Sequence, residues 1–387
     1  MPAKPPLPAE WSLLRAACCE DRAEAKQIVG AFLSSPIEWK TILDLAERHG
    51  VLPLLTQALS DCPQHVPPDV ISSLRRGYQT NVHKALFLSR ELIHILDKLS
   101  DAGIEVMPYK GLALAEIVYG DIALRQAGDL DLLIRARDFA GVRDAVRELG
   151  YVPHLNLSAA EEEAYLNSGY ECAFDGPAGR NLVEVQWAIQ PRFYAVDVDM
   201  HGIFQRGVEV SVAGCAMKSP SMEDLFLILS LHAAKHLWGR MIWICDLARL
   251  SQSPTLNWSF IGQQAKELGI VRILRVSLIL ASQLARAPIP SEADKNLLVD
   301  RAAPKIAGEI EDCLVSDTTI NPESLEYYRS MMRLRERRID RVRIVRRLVL
   351  TPGPGEWSTV RLPKPLFPIY RLIRLGRLGA RVVRNRM

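Results

Sequence analysis

A change in hydrophobic periodicity near residue 101 constrains the fold of this chain more than any other feature of its sequence. Residues 11–100 repeat apolar side chains at helical spacing, as at Trp39 and Ile42, and helical spacing returns from Ser221 onward. Between these regions, short apolar strands alternate with helices over about 115 residues, enough for one compact domain. We therefore expect an α+β protein in which an α/β domain lies between helical regions.

The strands of the central segment can be assigned from their composition. We expect strands at Ile104–Met107, Leu130–Ile134, Tyr170–Phe174 and Leu182–Trp187, with a turn at 176–179 between the last two. Helices are expected between the earlier strands, because apolar residues return there at helical spacing.

These patterns divide the chain of 387 residues into regions. Residues 1–100 form a helical N-terminal region, and residues 101–218 form the α/β domain. Residues 219–295 form a helical C-terminal domain, and residues 296–387 form a helical, arginine-rich basic tail. Residues 331–350 of this tail are expected to be a single helix.

Composition excludes several classes of protein. The apolar fraction is 48% and the charged fraction 24%, which is typical of a globular protein and excludes a mostly disordered chain. No run of about 18 apolar residues predicts a transmembrane helix, and the proline-rich N-terminus lacks the apolar core of a signal peptide. The seven scattered cysteines include no CxxC pair, so we expect reduced thiols and a cytoplasmic protein.

Two aspartates flank a leucine at the start of the second predicted strand. Asp129 and Asp131 are two residues apart, so in a strand both carboxylates project from the same face. Adjacent like charges repel each other unless a cation lies between them. Hard oxygen ligands favour Mg²⁺ or Mn²⁺, and the pair therefore predicts a divalent metal site.

A third carboxylate comes from a later strand. Glu184 lies within Leu182–Trp187, where Val183, Val185 and Trp187 form the apolar face. The carboxylate of Glu184 therefore points away from the core and can meet the aspartates from a neighbouring strand. Three carboxylates around metal ions are typical of phosphoryl- or nucleotidyl-transfer sites.

Lys110 and Gly111 lie at a predicted strand-to-helix turn. A glycine there lets backbone N–H groups approach a phosphate, and the helix N-terminus favours an anion. Lys110 and Arg125 are candidate positive charges for a triphosphate. The chain contains no P-loop, dinucleotide-binding glycine motif or Gly-x-Ser-x-Gly elbow.

This set of residues resembles the polymerase-beta-type nucleotidyltransferase superfamily. More narrowly, Lys110-Gly111, Arg125 and the Asp129-Leu-Asp131 strand are similar to an uncharacterised bacterial nucleotidyltransferase family with a KG…R…DxD core. The resemblance covers roughly residues 35–285 and includes Glu184-Val-Gln-Trp187.

The resemblance implies a minimal mixed sheet with helices on one side, which binds a nucleoside triphosphate with Mg²⁺. It also implies that Asp129, Asp131 and Glu184 are the metal ligands and that Lys110 and Gly111 contact phosphates. One departure is clear: the phosphate loop of the superfamily usually reads Gly-Ser or Gly-Gly, whereas this chain has Lys110-Gly111-Leu112.

Two histidines follow on a predicted helix. His232 and His236 are four residues apart and share a face, and Asp246 lies beyond the next turn. This set is compatible with zinc, although the HExxH pattern is absent. The alternatives are that the histidines pack against the α/β domain, form a hydrogen bond with Asp246, or lie in the substrate cleft.

The expected function is nucleotidyl transfer. The enzyme would move a nucleoside monophosphate from a triphosphate, with ATP as the expected donor, to an acceptor and release pyrophosphate. The acceptor could be a small molecule, a peptide, a protein or an RNA such as a tRNA. The alternative is a non-catalytic nucleotide-binding or scaffold protein whose basic tail binds a partner.

The tail differs in charge from the rest of the chain. Residues 331–387 hold 16 basic and 3 acidic residues, whereas the remainder holds 32 basic and 42 acidic residues. Within residues 369–385, an expected basic amphipathic helix, arginines recur every three or four residues: Arg371, Arg374, Arg377, Arg381 and Arg384. Such a helix suits the acidic body of its own chain, a nucleic acid or an anionic membrane.

Overall fold

The computed structural model describes residues 7–33, 36–318, 320–322, 324–360 and 362–384. Side chains are described as far as residue 379. The side chains of Arg381 and Arg384, which the sequence places on the basic face of the last helix, therefore lie outside the described residues.

Helices fill the described part of the N-terminal region, as the periodicity predicts. Asp21 caps one of them, because its carboxylate accepts hydrogen bonds from the backbone N–H groups of Ala23 and Glu24. Gly50 follows another at a φ of +72°, the left-handed conformation that glycine adopts most readily at helix ends. The helices are α1 (Ala9–Ala17), α2 (Arg22–Phe32), α3 (Trp39–Arg48), α4 (Leu52–Ser60) and α5 (Pro68–Asp101).

The central region alternates strands and helices. Its elements up to the end of the main sheet are β1 (Met107–Pro108), α6 (Gly111–Tyr119), β2 (Leu130–Leu133), α7 (Phe139–Glu148), β3 (Val152–Pro153), α8 (Ala159–Ser168), β4 (Glu171–Asp175) and β5 (Leu182–Gln186). A short helix and a hairpin follow: α9 (Met200–Arg206), β6 (Val208–Val212) and β7 (Cys215–Ser219).

The main sheet is mixed, with the strand order β1-β2-β5-β4-β3. Strands β2 and β5 are parallel, and the other neighbours are antiparallel. The parallel pair aligns Asp131 with Glu184 and Leu132 with Val185. This register matters for the site, because it brings the carboxylates of two distant segments to adjacent positions.

Helices form the remainder of the described chain. Ser221 caps the first of them by accepting a hydrogen bond from the backbone N–H of Asp224. The helices that follow the hairpin are α10 (Met222–Lys235), α11 (Met241–Ser251), α12 (Trp258–Leu268), α13 (Val271–Ala285) and α14 (Ser291–Asn296). Those of the C-terminal region are α15 (Ala303–Val315), α16 (Leu325–Arg333), α17 (Arg338–Leu350), α18 (Pro354–Trp357) and α19 (Tyr370–Arg384).

Apolar side chains from the sheet enter separate cores. Leu130, Leu132, Val183 and Val185 pack with α5 and α7 in one core. Leu133 and Met107 join a larger core that also contains α1, α4, α10, α11 and α13. The sheet is therefore held between helical layers, which confirms the expected α+β architecture with flanking helices. The resemblance implied helices on one side of the sheet, whereas the structure has them on both sides, because apolar side chains of β2 point to both faces.

The first strand is shorter than the sequence predicts. The prediction gave Ile104–Met107, but the ladder with β2 contains Met107 and Pro108 alone among the described residues. Glu105 instead turns its carboxylate to Arg135 and Lys218, each 2.6 Å away. The chain then turns directly into α6, which limits the length of the ladder.

The predicted single helix over residues 331–350 is also wrong. The structure breaks it between α16 and α17, because Arg335 turns into the protein, where the residue is 2% exposed. Its guanidinium donates to the carbonyl oxygens of Leu268 and Gly269 at the end of α12 and to that of Tyr194. These carbonyls would otherwise lack partners at a helix end.

None of the helices in the described ranges is long and apolar enough to cross a membrane.

Candidate active site

The carboxylates predicted to bind metal lie at adjacent strands. Asp131 lies on β2 and Glu184 is aligned with it on β5, while Asp129 directly precedes β2. Asp131 is almost fully buried, with 3% of its side chain exposed. The sheet register therefore brings together residues that are more than 50 positions apart in sequence.

Lys110 contacts one of these carboxylates directly. Its ammonium group forms a buried ion pair with the carboxylate of Asp131, and 9% of its side chain is exposed. Burial alone would lower the pKa of Lys110, but Asp131, Tyr109 and Glu184 raise it above its ordinary value. Lys110 is therefore charged and held on Asp131, and does not extend into solvent.

Gln186 links the cluster from the end of β5. Its amide nitrogen lies 3.1 Å from a carboxylate oxygen of Glu184, 3.1 Å from one of Glu171 and 3.4 Å from one of Asp131. Its carbonyl oxygen accepts a hydrogen bond from the hydroxyl of Tyr109. One amide thus bridges carboxylates from three strands.

Gly111 brings the N-terminus of α6 against this cluster. It has a φ of +54°, and a Cβ added there would lie 3.2 Å from the backbone oxygen of Asp129. Any larger residue would combine backbone strain with this close contact. The glycine therefore allows the positive end of a helix to lie beside the aspartates, where an anion is favoured.

The cluster has an excess of negative charge. Burial, followed by repulsion from Asp131, raises the pKa of Asp129 above its ordinary value. Burial, with Asp131 and Glu171 as further causes, raises the pKa of Glu184 from 4.5 to about 8. In both cases burial, and then neighbouring negative charge, opposes ionisation of the carboxylate.

This shift predicts how the metal-free protein responds to pH. The folded state binds the proton of Glu184 more tightly than the unfolded chain does. The contribution of this proton to the stability of the fold is therefore fully present below pH 4.5. That contribution is lost as the pH rises through about 8. Thermal unfolding in a metal chelator between pH 5 and 9 should show a smaller loss of stability in Glu184→Gln than in wild type. Exposed Glu209 on β6 provides the control Glu209→Gln. If the stability of Glu184→Gln fell as steeply with rising pH as that of wild type, the raised pKa of Glu184 would be contradicted.

The donor chemistry fits a hard divalent cation. Asp129, Asp131 and Glu184 offer oxygen atoms alone, and the raised pKa values of two of them indicate a place where a cation would be favourable. Among the residues that the structure describes, however, no three Asp, Glu, His or Cys side chains are already arranged as a metal site. Lys110 holds Asp131 instead, so a metal would have to share or replace that contact.

Arg125 lies in a different contact from the one expected. The sequence suggested a contact with the triphosphate, but the guanidinium forms a bidentate ion pair with Asp246, at 3.0–3.2 Å. The hydroxyl of Tyr119 donates to the same carboxylate at 2.8 Å. Arg125 is 7% and Asp246 1% exposed at the side chain. This buried pair joins the α/β domain to α11.

The histidines form an aromatic cluster with Trp243. The rings of His232, His236 and Trp243 lie with their centroids 4.8–5.1 Å apart. Burial and nearby Lys110 lower the pKa of His232 well below its ordinary value, so this ring is neutral. Asp246 bonds to Arg125 and Tyr119, and these contacts take the place of the hydrogen bond between a histidine and Asp246 that was one of the alternatives.

A cavity of about 730 Å³ opens beside this cluster. Its lining includes Lys235, His236 and Trp243, together with Ile310 of α15 and Tyr327 of α16. The structure thus places His236 in the lining of a cleft, whereas Asp246 is buried.

Lys235 connects the cavity to the carboxylates. Its ammonium group donates to the hydroxyl of Tyr170 at 3.0 Å, and this hydroxyl donates to Glu171, which also accepts from Gln186. Burial lowers the pKa of Lys235.

The sequence interpretation did not single out Glu171, Lys235 or Tyr170. Strand alternation offered a signal for Gln186, which shares its face with Glu184.

Comparison with known families agrees with this geometry. A family described as uncharacterised nucleotidyltransferase matches residues 35–286, about two thirds of the chain. The matched segment contains every carboxylate of the cluster, the α6 N-terminus and the histidines. Searches of curated proteins and of solved structures found no match. The resemblance seen in the sequence is confirmed, and the chain belongs to the uncharacterised nucleotidyltransferase family.

Proposed function

We propose that this protein transfers a nucleoside monophosphate from a Mg²⁺-bound nucleoside triphosphate, with ATP as the expected donor, to an acceptor. The observation that carries the proposal is the alignment of Asp131 with Glu184 on parallel strands, with Asp129 and the N-terminus of α6 beside them. A nucleophilic atom of the acceptor would form a bond to the α-phosphorus. The bond from that phosphorus to the bridging oxygen would break, and pyrophosphate would leave.

Asp129, Asp131 and Glu184 would hold the divalent cation. When bound, Mg²⁺ neutralises charge on the triphosphate and lowers the barrier to displacement at phosphorus. Bound positive charge would also favour the ionised form of Glu184, whose pKa is about 8 without it. An ionised Glu184 could then accept the proton that the acceptor loses.

Gly111 and Lys110 would meet the phosphates. The backbone N–H groups at the start of α6 would donate to phosphate oxygens, and the close approach at Gly111 keeps them beside Asp129. Lys110 neutralises Asp131 in the structure described here. On nucleotide binding, its ammonium group would be shared between that carboxylate and a phosphate oxygen.

The proposal puts the acceptor in the cavity next to Lys235. A volume of about 730 Å³ accommodates a molecule of moderate size. Trp243 and Ile310 supply apolar surface, and Lys235 is linked through Tyr170 to Glu171 of the carboxylate cluster. Ile310 and Tyr327, on α15 and α16, lie beyond the segment that matches the family, so acceptor contacts would come partly from outside that segment.

Calorimetric titration of each of the four nucleoside triphosphates, with and without Mg²⁺, tests the nucleotide site. Wild type should bind at least one of them in a Mg²⁺-dependent manner, and Asp129→Asn should lose that dependence. Glu209→Gln is the matched control, since it removes an exposed carboxylate of the same domain. Mg²⁺-independent binding, or equal binding by Asp129→Asn, would contradict the proposed site.

A non-catalytic nucleotide-binding role is the second candidate. It is favoured by one observation: Lys110 already neutralises Asp131. Nucleotide binding without pyrophosphate release, in the presence of a broad acceptor panel that includes total RNA and small hydroxyl compounds, would support this role. Pyrophosphate release that depends on one acceptor would exclude it.

A further inference from the structure

Exposed apolar side chains concentrate near the C-terminus. Of the fourteen large hydrophobic residues that are exposed in the described chain, nine lie between residues 339 and 375. Large exposed apolar patches are uncommon on proteins that have no partner at that surface. These residues are Ile339, Val342, Val345, Leu350, Val360, Leu366, Ile369, Leu372 and Leu375.

Helix α17 packs on the protein through polar residues. Asp340 is fully buried and pairs with Arg335 and Arg337, and Arg347 pairs with Asp197 at 2.6 Å. Ile344, which is also buried, lies on the same side because it is four residues from Asp340. The inward face of α17 thus contains charged residues, which a surface helix usually turns toward solvent.

The outward face of α17 is apolar with an arginine rim. Val342 is 62% exposed, and Val345 is exposed on the same face. Arg338 and Arg346 flank them, are exposed, and form no ion pair with another described residue. This is the reverse of an ordinary amphipathic surface helix, in which the apolar stripe faces the core.

Helix α19 shows the same reversal. Tyr370 is fully buried, and Arg374 and Arg377 on the same side pair with buried Glu356 at 3.1 and 2.8 Å. The opposite side carries Leu372, which is 67% exposed, and Leu375. Basic residues of the tail therefore bind inside the protein and leave leucines outside.

We propose that the outward faces of α17 and α19 bind the surface of a bilayer that contains anionic phospholipids. Helices of this kind bury apolar side chains at the level of the lipid headgroups, while their arginines contact the anionic groups. This contact is peripheral, with the helices lying on the bilayer surface. It does not depend on the proposed nucleotidyl transfer.

Charge favours a bilayer over a second copy of the chain. Asp340 and Glu356 are the acidic residues of the sequence between residues 338 and 379, and both are buried and paired with arginine. A symmetric dimer through this surface would bring two positively charged faces together, each with Arg338, Arg346 and Arg371. A nucleic acid would pair with the arginines but would leave Leu372 and Val342 in water.

Co-sedimentation of the full-length protein with vesicles tests the proposal. Vesicles of phosphatidylcholine with 30% phosphatidylglycerol should bind the protein, and pure phosphatidylcholine should bind much less. Leu372→Glu/Leu375→Glu and Val342→Glu/Val345→Glu should each lower the partition coefficient at least tenfold. Arg338→Gln/Arg346→Gln should lower it about 25-fold, since each arginine near the surface contributes about a factor of five.

A matched control separates the patch from general hydrophobicity. Val299 is 85% exposed and lies outside the tail, so Val299→Glu should leave vesicle binding unchanged. Circular dichroism of each variant confirms that it is folded. Equal binding to both kinds of vesicle, or none to either, would overturn the proposal. So would a dimer in sedimentation velocity that the leucine variants dissociate, or tight RNA binding that persists in those variants.

Discussion

Asp129→Asn is expected to reduce nucleotidyl transfer by at least about a thousandfold while the thermal midpoint stays at or above that of wild type. Activity should fall because a carboxylate ligand of the proposed cation is lost. Stability should not fall, because burial and the charge of Asp131 already raise the pKa of Asp129 and oppose its ionised form. Pyrophosphate release and thermal unfolding measure the two effects in one preparation.

Asp131→Asn is expected to behave differently from Asp129→Asn in stability. It should abolish activity too, but it should also lower the midpoint, because it leaves the buried ammonium group of Lys110 without its partner. Glu209→Gln should change neither quantity. Asp129→Asn with wild-type activity would remove Asp129 from the site, and a large loss of its stability would contradict the electrostatic description of the cluster.

Removing either partner of the Arg125–Asp246 pair is expected to cost about 3–5 kcal/mol of unfolding free energy. Both side chains are almost fully buried, and the survivor would keep an uncompensated charge. Asp246→Ala would also leave the hydroxyl of Tyr119 without its acceptor. Denaturant unfolding of Arg125→Ala and Asp246→Ala, followed by near-UV circular dichroism, measures the loss.

An apolar replacement distinguishes a structural role from phosphate binding. Arg125→Met/Asp246→Leu removes both charges and should recover most of the lost stability. If Arg125 serves only to join the loop between α6 and β2 to α11, the double variant should still bind a nucleoside triphosphate with Mg²⁺. Single variants of wild-type stability that fail to bind nucleotide would instead assign Arg125 to the phosphates.

The carboxylate face of the sheet could be predicted because it depends on local alternation. Asp129 and Asp131 share a face by their spacing, and Glu184 stands out as a charged residue opposite Val183 and Val185. The structure aligns Asp131 and Glu184 on neighbouring strands. Their role as metal ligands stays a prediction.

Partners that are distant in sequence could not be read from periodicity. Arg125 and Asp246 are separated by 121 positions, and either could have paired with a nearer charge. Arg335 ends a predicted helix because carbonyl groups from α12 and Tyr194 accept its hydrogen bonds. By contrast, the hairpin β6–β7 had a local signal, alternating valines before the Ala213-Gly214 turn, which the interpretation overlooked.

The cavity beside Lys235 is built from two stretches of chain with different relationships to the family. Part of its lining, including Lys235 and Trp243, lies within residues 35–286 together with the carboxylates, and another part is supplied by α15 and α16. Chemistry and selectivity would then depend on different stretches of one polypeptide. Replacing the lining residues of α15 and α16 would be a route to new acceptors with the same nucleotide chemistry.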